Sequence, residues 1–391
     1  MIQREAESRL RYLATHFKAV AVIGPRQSGK TTLVRQIFPD KPYYSMENPD
    51  IRQWVTEDPR GFLQSVSGGA VLDEIQHVPA LFSYLQQVLD EAPGKGRFIL
   101  TGSNNFLMQE KISQSLAGRV AYLGLLPFSL REIHPIVQHW DDPKLIWNGF
   151  YPPIYDQHVP PRDWIQNYIQ TYIERDVRQL KNIHRLYLFE RFIRLMAGRT
   201  ATEWVAHVLA SETGVDTKTV QSWAGVLMNS FLTFQLPAYF NNYRKTIVKR
   251  PKIYFYDTAI VCGLTGIRRP EHLQWHPAYG QIFESMVTAD IMKYFLHRGV
   301  RPPIYYWRDK TGHEIDLIID TDKEPLAVEI KSGQTVNPEW FRHLRYWHKL
   351  TGSSRSYLLY GGTRTMTRGA THVIPWREFV RHLDRYIPGL T

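Results

Sequence analysis

A single cysteine in 391 residues, Cys262, leaves no partner for an internal disulfide and too few thiols for a multi-cysteine zinc site. Its neighbours Ile260, Val261, Gly263 and Leu264 suit a plain core thiol. No apolar run reaches the ~18 residues that a membrane-crossing helix requires. The start of the chain, with Arg4, Glu5, Glu7, Arg9 and Arg11, lacks the apolar stretch of a secretory signal. From these absences a cytoplasmic protein without a membrane partner is expected. The chain also lacks internal repeats and low-complexity tracts. With 43% hydrophobic and 22% charged residues it has the composition of an ordinary soluble globular protein. Its length exceeds what one core of usual size fills, so two or three domains are expected.

Charge is uneven. Residues 1–150 carry 16 basic against 15 acidic side chains, residues 151–270 carry 16 against 9, and residues 271–391 carry 16 against 13. Most of the net charge of +11 therefore lies in the middle of the chain. That surplus suits nucleic-acid contact, and it suits equally a solvated face on a protein of high isoelectric point.

What the sequence does contain begins at Gly24-Pro25-Arg26-Gln27-Ser28-Gly29-Lys30-Thr31, followed by Thr32. Two glycines at this spacing let the backbone bend around a polyphosphate, with amide groups and a helix N-terminus aimed at its oxygens. Lys30 would reach the β and γ phosphates and Thr31 would offer its hydroxyl to Mg²⁺. The flanks agree, since Ala19 to Ile23 reads as a buried parallel strand and Thr32 to Phe38 as the opening of a helix. The pattern predicts ATP with Mg²⁺ as the bound species. Residues 4–17 are predicted to form an amphipathic helix and Tyr43 to Met46 a second strand.

Further on, Gly69 to Leu72 is an apolar strand that ends in Asp73 and Glu74. Asp73 would hold the water shell of Mg²⁺, and Glu74 would polarise the attacking water. Arg97 to Gly102 reads as the next strand, and Ser103 and Asn104 at its tip could sense the γ phosphate; a plain turn with glycine explains them too. Arg119 could place a guanidinium on the developing phosphoryl charge, in cis or from a neighbouring subunit, and a structural salt bridge accounts for it as well.

GPRQSGKTTL, AVLDEIQHVPALFSYL, FILTGSNN, SLAGRVAYLGLLPFSLREI and YIERDVRQL occur here in one order. In this the chain resembles a prokaryotic family of AAA-type ATPases whose uncharacterised C-terminal domain is similar to PD-(D/E)xK nucleases. The resemblance covers nearly the whole chain. It implies ATPase chemistry at Lys30, Thr31, Asp73 and Glu74, and an arginine finger at Arg119 that would require a homo-oligomer if it acts in trans.

The middle region reads as mainly helical. Trp164, Ile165, Tyr168, Ile169, Tyr172 and Ile173 recur at helical spacing, as a core face does. A helix over 203–209, a turn at 213–216, a helix over 217–227 and extended runs at 232–239 and 252–256 describe a winged helix. Its ribbon tip, Tyr243 to Arg250, holds Arg244, Lys245, Lys249 and Arg250, which could lie along a phosphate backbone together with Lys252. Winged helices also bind proteins.

In the last region, an amphipathic helix over 283–295 bears Glu284. The hairpin that follows bears Asp316, and the next strand places Glu329 and Lys331 on one face by the two-residue period. Glu284, Asp316 and Glu329 could bind Mg²⁺, beside a lysine able to orient or deprotonate water and stabilise charge on a phosphodiester. Helix, hairpin and strand carrying Glu, Asp and Glu-x-Lys match the PD-(D/E)xK arrangement, which a helix over 339–350 and a strand over 356–360 would continue. The expected architecture is α/β: an N-terminal P-loop (RecA/AAA-like) parallel-sheet domain over 1–150, a central helical and winged-helix region over 151–270, and a C-terminal α/β PD-(D/E)xK nuclease-like domain over 271–391. Two functions are consistent with it. One is an ATP-dependent enzyme on nucleic acid, DNA foremost. The other is a nucleotide-driven switch or assembly protein whose last domain only binds nucleic acid or a protein.

Overall fold

The structure, a computed structural model, describes residues 2–91, 94–103, 116–171, 185–240, 249–321 and 323–387. Asn104, the Tyr172 and Ile173 end of the predicted helical face, and the ribbon tip at 243–248 lie outside the described residues. By internal contacts the chain divides into two units. One comprises Met1–Phe128 with Asn229–Phe231 and Tyr294–Val300; the other comprises Ser129–Met228, Leu232–Lys293 and Arg301–Thr391. No helix among the described residues is long and apolar enough to cross a membrane.

In the first unit, short unbroken apolar runs form strands that are covered on both faces, the usual condition of a parallel sheet. They are β1 (Ala19–Ile23), β2 (Tyr43–Ser45), β3 (Ala70–Asp73), β4 (Phe98–Gly102) and β5 (Val120–Gly124). Their order is β2-β3-β4-β1-β5 and every neighbouring pair is parallel. Val20, Val22, Val71 and Ile99 pack in one cluster with Leu33 and Val34 of the helix Lys30–Ile37 and with Leu10 and Leu13 of the helix Ala6–His16. Because β4 lies between β1 and β3, the C-terminal ends of those two strands open on one crevice beside the tip of β4. Open parallel sheets bind their ligands at such a place.

The second unit contains two sheets. The helices Ala206–Thr213 and Thr217–Asn229 precede the antiparallel pair β7 (Thr233–Leu236) and β8 (Lys252–Phe255). The first of these helices starts later than its predicted 203, because Thr202 and Glu203 form β6 and pair with β8. The larger sheet joins β9 (Ile304–Arg308), β10 (Glu314–Ile319), β11 (Leu326–Lys331), β12 (Ser356–Tyr360), β13 (Met366–Arg368) and β14 (Thr371–Pro375) in the order β13-β14-β12-β11-β10-β9. β9, β10 and β11 are antiparallel neighbours, whereas β11, β12 and β14 run parallel. Trp307, Leu344, Trp347 and Leu358 fill the core beneath this sheet. The predicted helix over 339–350 divides into a 3₁₀ turn, Pro338–Phe341, and the helix Arg342–Thr351.

One expectation is corrected. The helix around Glu284 runs over Tyr279–His297 and is not amphipathic, since Ile282, Phe283, Met286, Val287, Ile291 and Phe295 are buried on successive turns along with Ser285, Thr288, Asp290 and Lys293. A helix that is apolar nearly all round is buried all round.

Candidate functional site

The glycine-rich loop leaves β1 and closes on the helix Lys30–Ile37. Gly29 adopts φ 91°, in the left-handed region that glycine tolerates. A Cβ at Gly24 would come within 2.0 Å of the Leu125 carbonyl oxygen, so glycine alone permits the backbone's close approach there. Gly24, Pro25, Ser28 and Lys30 are buried, Arg26, Gly29 and Thr31 are half-buried, and Gln27 and Thr32 are exposed. The Lys30 ammonium donates to the carbonyls of Gly24 (3.0 Å) and Pro25 (2.8 Å), inside the curve that a phosphate would occupy. Burial lowers its pKa, partly offset by Glu74 and Asp73.

Across the tip of β4, the Thr31 hydroxyl donates to Asp73 Oδ1 at 2.9 Å. Asp73 also accepts from the Thr101 hydroxyl and, through Oδ2, from the Tyr43 hydroxyl at 2.7 Å. Burial and the adjacent Asp73 raise the pKa of Tyr43 far above its ordinary value, which keeps the phenol a donor. Glu74 adopts φ 52°, a conformation that costs a non-glycine residue about 1 kcal/mol or more. This aims its carboxylate at Lys30 (3.9 Å) and lets it accept from the Ser103 hydroxyl (2.8 Å), the Ser103 amide (3.2 Å) and the side-chain amide of Gln76. Burial alone would raise the pKa of Glu74; Lys30, Gln76 and Ser103 outweigh it and hold the group ionised.

This loop suits ATP with Mg²⁺. Gly24 allows the backbone to close on a phosphate, the buried Ser28 hydroxyl has no hydrogen-bond partner, and Thr31 and Asp73 already bring hydroxyl and carboxylate oxygens together. Four residues of this network had not been singled out from sequence. Tyr43, Gln76 and Thr101 hold the carboxylates. Arg4 braces the loop from below, donating to the carbonyls of Ser28 and Leu126, each at 2.7 Å. No local pattern marks Tyr43, Thr101 or Arg4, because each acts on a group distant in sequence, whereas Gln76 lies only two residues from the Glu74 it holds.

Arg119 lies elsewhere. It immediately precedes β5, whose first residue is in register with Ala19 at the start of β1, so it stands at the sheet edge opposite the loop. There it forms a bidentate pair with Asp90, with contacts of 2.5 Å and 2.8 Å. A cis role beside Lys30 does not fit that position.

The second cluster is built on the larger sheet. Pairing of β10 with β9 shifts by one residue between Ile315 and Ile318, a bulge at the level of Asp316. Bulges re-aim side chains. Asp316 accepts from the Ile330 amide at 2.8 Å and faces the Lys331 ammonium at 3.4 Å; Lys331 also contacts Glu329 at 2.7 Å. Glu284 approaches from the helix and accepts from the Tyr254 hydroxyl at 2.6 Å and from Lys252 at 3.1 Å. Lys252 also pairs with Glu314 at 2.5 Å.

Here the assignment of Lys252 to a phosphate-facing row of cations is corrected. Its side chain is only 3% exposed and is spent on carboxylates. Arg199 and Arg250 of the basic middle are paired too, with Glu212 and Glu203. Lys-x-Tyr at Lys252 and Tyr254 was the available signal, two polar-tipped residues on one face of a strand.

Burial pushes Glu284 up to about 7 and Glu329 up to about 8, the latter aided by Asp316. Asp316 is held below its ordinary value despite burial, by Lys331 and Lys252. One oxygen of Glu329 is buried without a hydrogen-bond partner, and Asp316 and Glu329 meet on Lys331, so this carboxylate pair suits a hard divalent ion such as Mg²⁺ or Mn²⁺, while Glu284 does not share one coordination sphere with both. A metal on this pair must then displace a proton from Glu329. Titration with Mn²⁺ should therefore show affinity rising from pH 6 to pH 8, by about tenfold per unit for each proton released. Without metal the sign for stability is opposite. Carboxyls with raised pKa favour the fold most below their ordinary 4.5, and that advantage falls as pH rises towards 8. Thermal unfolding in chelator at pH 5 and pH 8 would check it.

Comparison with known proteins finds three family models along the chain. Residues 16–134 match the model of a family described as an AAA domain. Two further models, each described only as a domain of unknown function, match residues 141–271 and 279–379. The uncharacterized proteins Rv2008c of Mycobacterium tuberculosis and Mb2031c of Mycobacterium bovis are each 29% identical over 347 residues, 88% of this chain and 76% of theirs. Among solved structures, the Walker-type ATPase PABY2304 of Pyrococcus abyssi overlaps 66% of this chain and 94% of its own, at 13% identity and a TM-score of 0.43. RuvB of Thermotoga maritima overlaps 60% and 86%, at 16% identity and a TM-score of 0.28. From the family match and its own parallel sheet, the N-terminal part of this chain has the fold of an AAA-type P-loop ATPase.

Proposed function

We propose that the protein is a Mg²⁺-dependent ATPase that couples nucleotide turnover to a nucleic-acid-binding, metal-dependent nuclease site in its C-terminal part. The observation that carries the ATPase reading is the meeting of Lys30, Thr31, Asp73 and Glu74 at the ends of β1 and β3. Lys30 binds the β and γ phosphates, and its ammonium exchanges two backbone carbonyls for phosphate oxygens. Thr31 and Asp73 would hold Mg²⁺, which would supply screening of the phosphate charge. Glu74, kept ionised by Lys30, Gln76 and Ser103, accepts a proton from the attacking water and holds that water in line. Ser103 reports the γ phosphate through its contact with Glu74. Arg119 serves catalysis only if a neighbouring copy presents it. In mixtures shown to co-assemble, Arg119→Ala and Glu74→Gln subunits should then recover some turnover at shared interfaces, where the intact Glu74 of one meets the Arg119 of the other, and absence of rescue counts against action in trans.

The nuclease reading rests on the convergence of Glu284, Asp316, Glu329 and Lys331 in the PD-(D/E)xK order. The carboxylates would hold Mg²⁺, and Lys331 would orient water and stabilise charge on a phosphodiester. The helices Ala206–Thr213 and Thr217–Asn229 with the β7–β8 ribbon support a winged helix that contacts DNA. A second reading, the nucleotide-driven switch whose last domain only binds nucleic acid or a partner, is favoured by Lys252. That lysine already compensates part of the carboxylate charge, as in a structural ion network. Incubation of the pure protein with plasmid and single-stranded DNA, with Mg²⁺ or Mn²⁺ and with or without ATP, separates the two. Cleavage supports the first; ATP turnover without cleavage under any of these conditions supports the second.

A further inference from the structure

The carboxylate cluster of the second unit holds two ammonium groups, Lys331 half-buried and Lys252 buried, where the PD-(D/E)xK arrangement requires one. Lys331 serves Asp316 and Glu329. Lys252 comes from β8, in the smaller sheet, and reaches Glu284 Oε1 at 3.1 Å and Glu314 Oε1 at 2.5 Å, with the Tyr306 ring 5.6 Å away. Glu284 Oε1 also takes the Tyr254 hydroxyl, and Glu314 Oε2 takes Arg308 at 3.3 Å. Two donors on one carboxylate oxygen reduce the charge it can offer a metal. An ammonium as deeply buried as Lys252 is retained only while its carboxylates face it.

On the reading that this cluster holds a divalent ion, we propose that Lys252 is the cation that sets its affinity for that ion. It competes with the metal for Glu284, so that the metal rests mainly on Asp316 and Glu329, and divalent affinity is set low by the protein itself. The cluster therefore has two compensated halves: Lys331 with Asp316 and Glu329, and Lys252 with Glu284 and Glu314. Removing Lys252 returns Glu284 to the metal.

The test is a double-mutant cycle on the full-length protein, with Mn²⁺ alone as the probe. Binding is read by calorimetry and by loss of the free-ion paramagnetic signal. Lys252→Met should bind Mn²⁺ at least ~10-fold more tightly than wild type, the scale on which groups behind metal ligands act. Lys252→Arg keeps a cation and should stay within about threefold. Glu284→Gln should weaken wild type by less than about threefold, yet should erase the gain when combined with Lys252→Met. If wild type binds and Lys252→Met binds no more tightly while folded, the role of Lys252 is overturned and the metal reading stands. If Lys252→Met fails to fold, the Glu284→Gln arm decides: a tenfold or greater loss means Glu284 is a full ligand beside Lys252 and overturns the proposal. If no folded variant, wild type included, binds Mn²⁺, the metal reading falls and this inference falls with it.

Discussion

Lys30→Ala should lose ATP binding by at least ~100-fold, about 2.7 kcal/mol, whereas Glu74→Gln should keep near-wild-type binding and turn ATP over at least ~100-fold more slowly. The difference follows from what each side chain touches. Lys30 sits within the curve of the loop, and its contacts with the Gly24 and Pro25 carbonyls are those a phosphate would replace. Alanine leaves that curve without a cation. Glu74 points past Lys30 at 3.9 Å towards the space beside Ser103, where an attacking water rather than a phosphate belongs. Glutamine keeps the shape and one acceptor for the Ser103 hydroxyl but cannot take a proton. Calorimetric ATP binding together with phosphate release measures both. Equal loss of binding in the two variants would sink the division of roles.

Asp316→Asn should abolish Mn²⁺ binding at the second cluster and reduce any metal-dependent cleavage of nucleic acid by at least ~100-fold, while ATP turnover stays within about twofold. The substitution is nearly isosteric. An asparagine oxygen can still accept from the Ile330 amide, which keeps the hairpin in register, but the charge that Lys331 faces is gone. Lys331→Ala is the poorer test. It would leave Asp316 and Glu329 facing each other in a buried site, and the loss of a buried partner costs up to several kcal/mol, which solvent access at Lys331 reduces. Preserved ATP turnover in Asp316→Asn separates damage to the cluster from damage to the fold. Unchanged Mn²⁺ affinity would remove Asp316 from the metal site.

Local patterns carried a good deal of this protein. An unbroken apolar run ending in a glycine-rich turn marks a parallel strand and its loop without tertiary information, because burial on both faces and positive φ each leave a signature of a few residues. The same holds for the apolar run before Asp73 and for the two-residue period that puts Glu329 and Lys331 on one face of β11. What those patterns could not contain is pairing at a distance. That Thr31 meets Asp73 depends on β4 lying between β1 and β3. That Arg119 stands at the far edge depends on the parallel register of β5 with β1. The bulge at Asp316 arises from a mismatch between two strands and exists in neither alone. Lys252 is the sharpest instance. In a basic stretch it reads as a surface cation, and only the packing of β8 against the helix Tyr279–His297 and β10 turns it inward, because an ammonium can be buried wherever carboxylates from other elements converge to meet it.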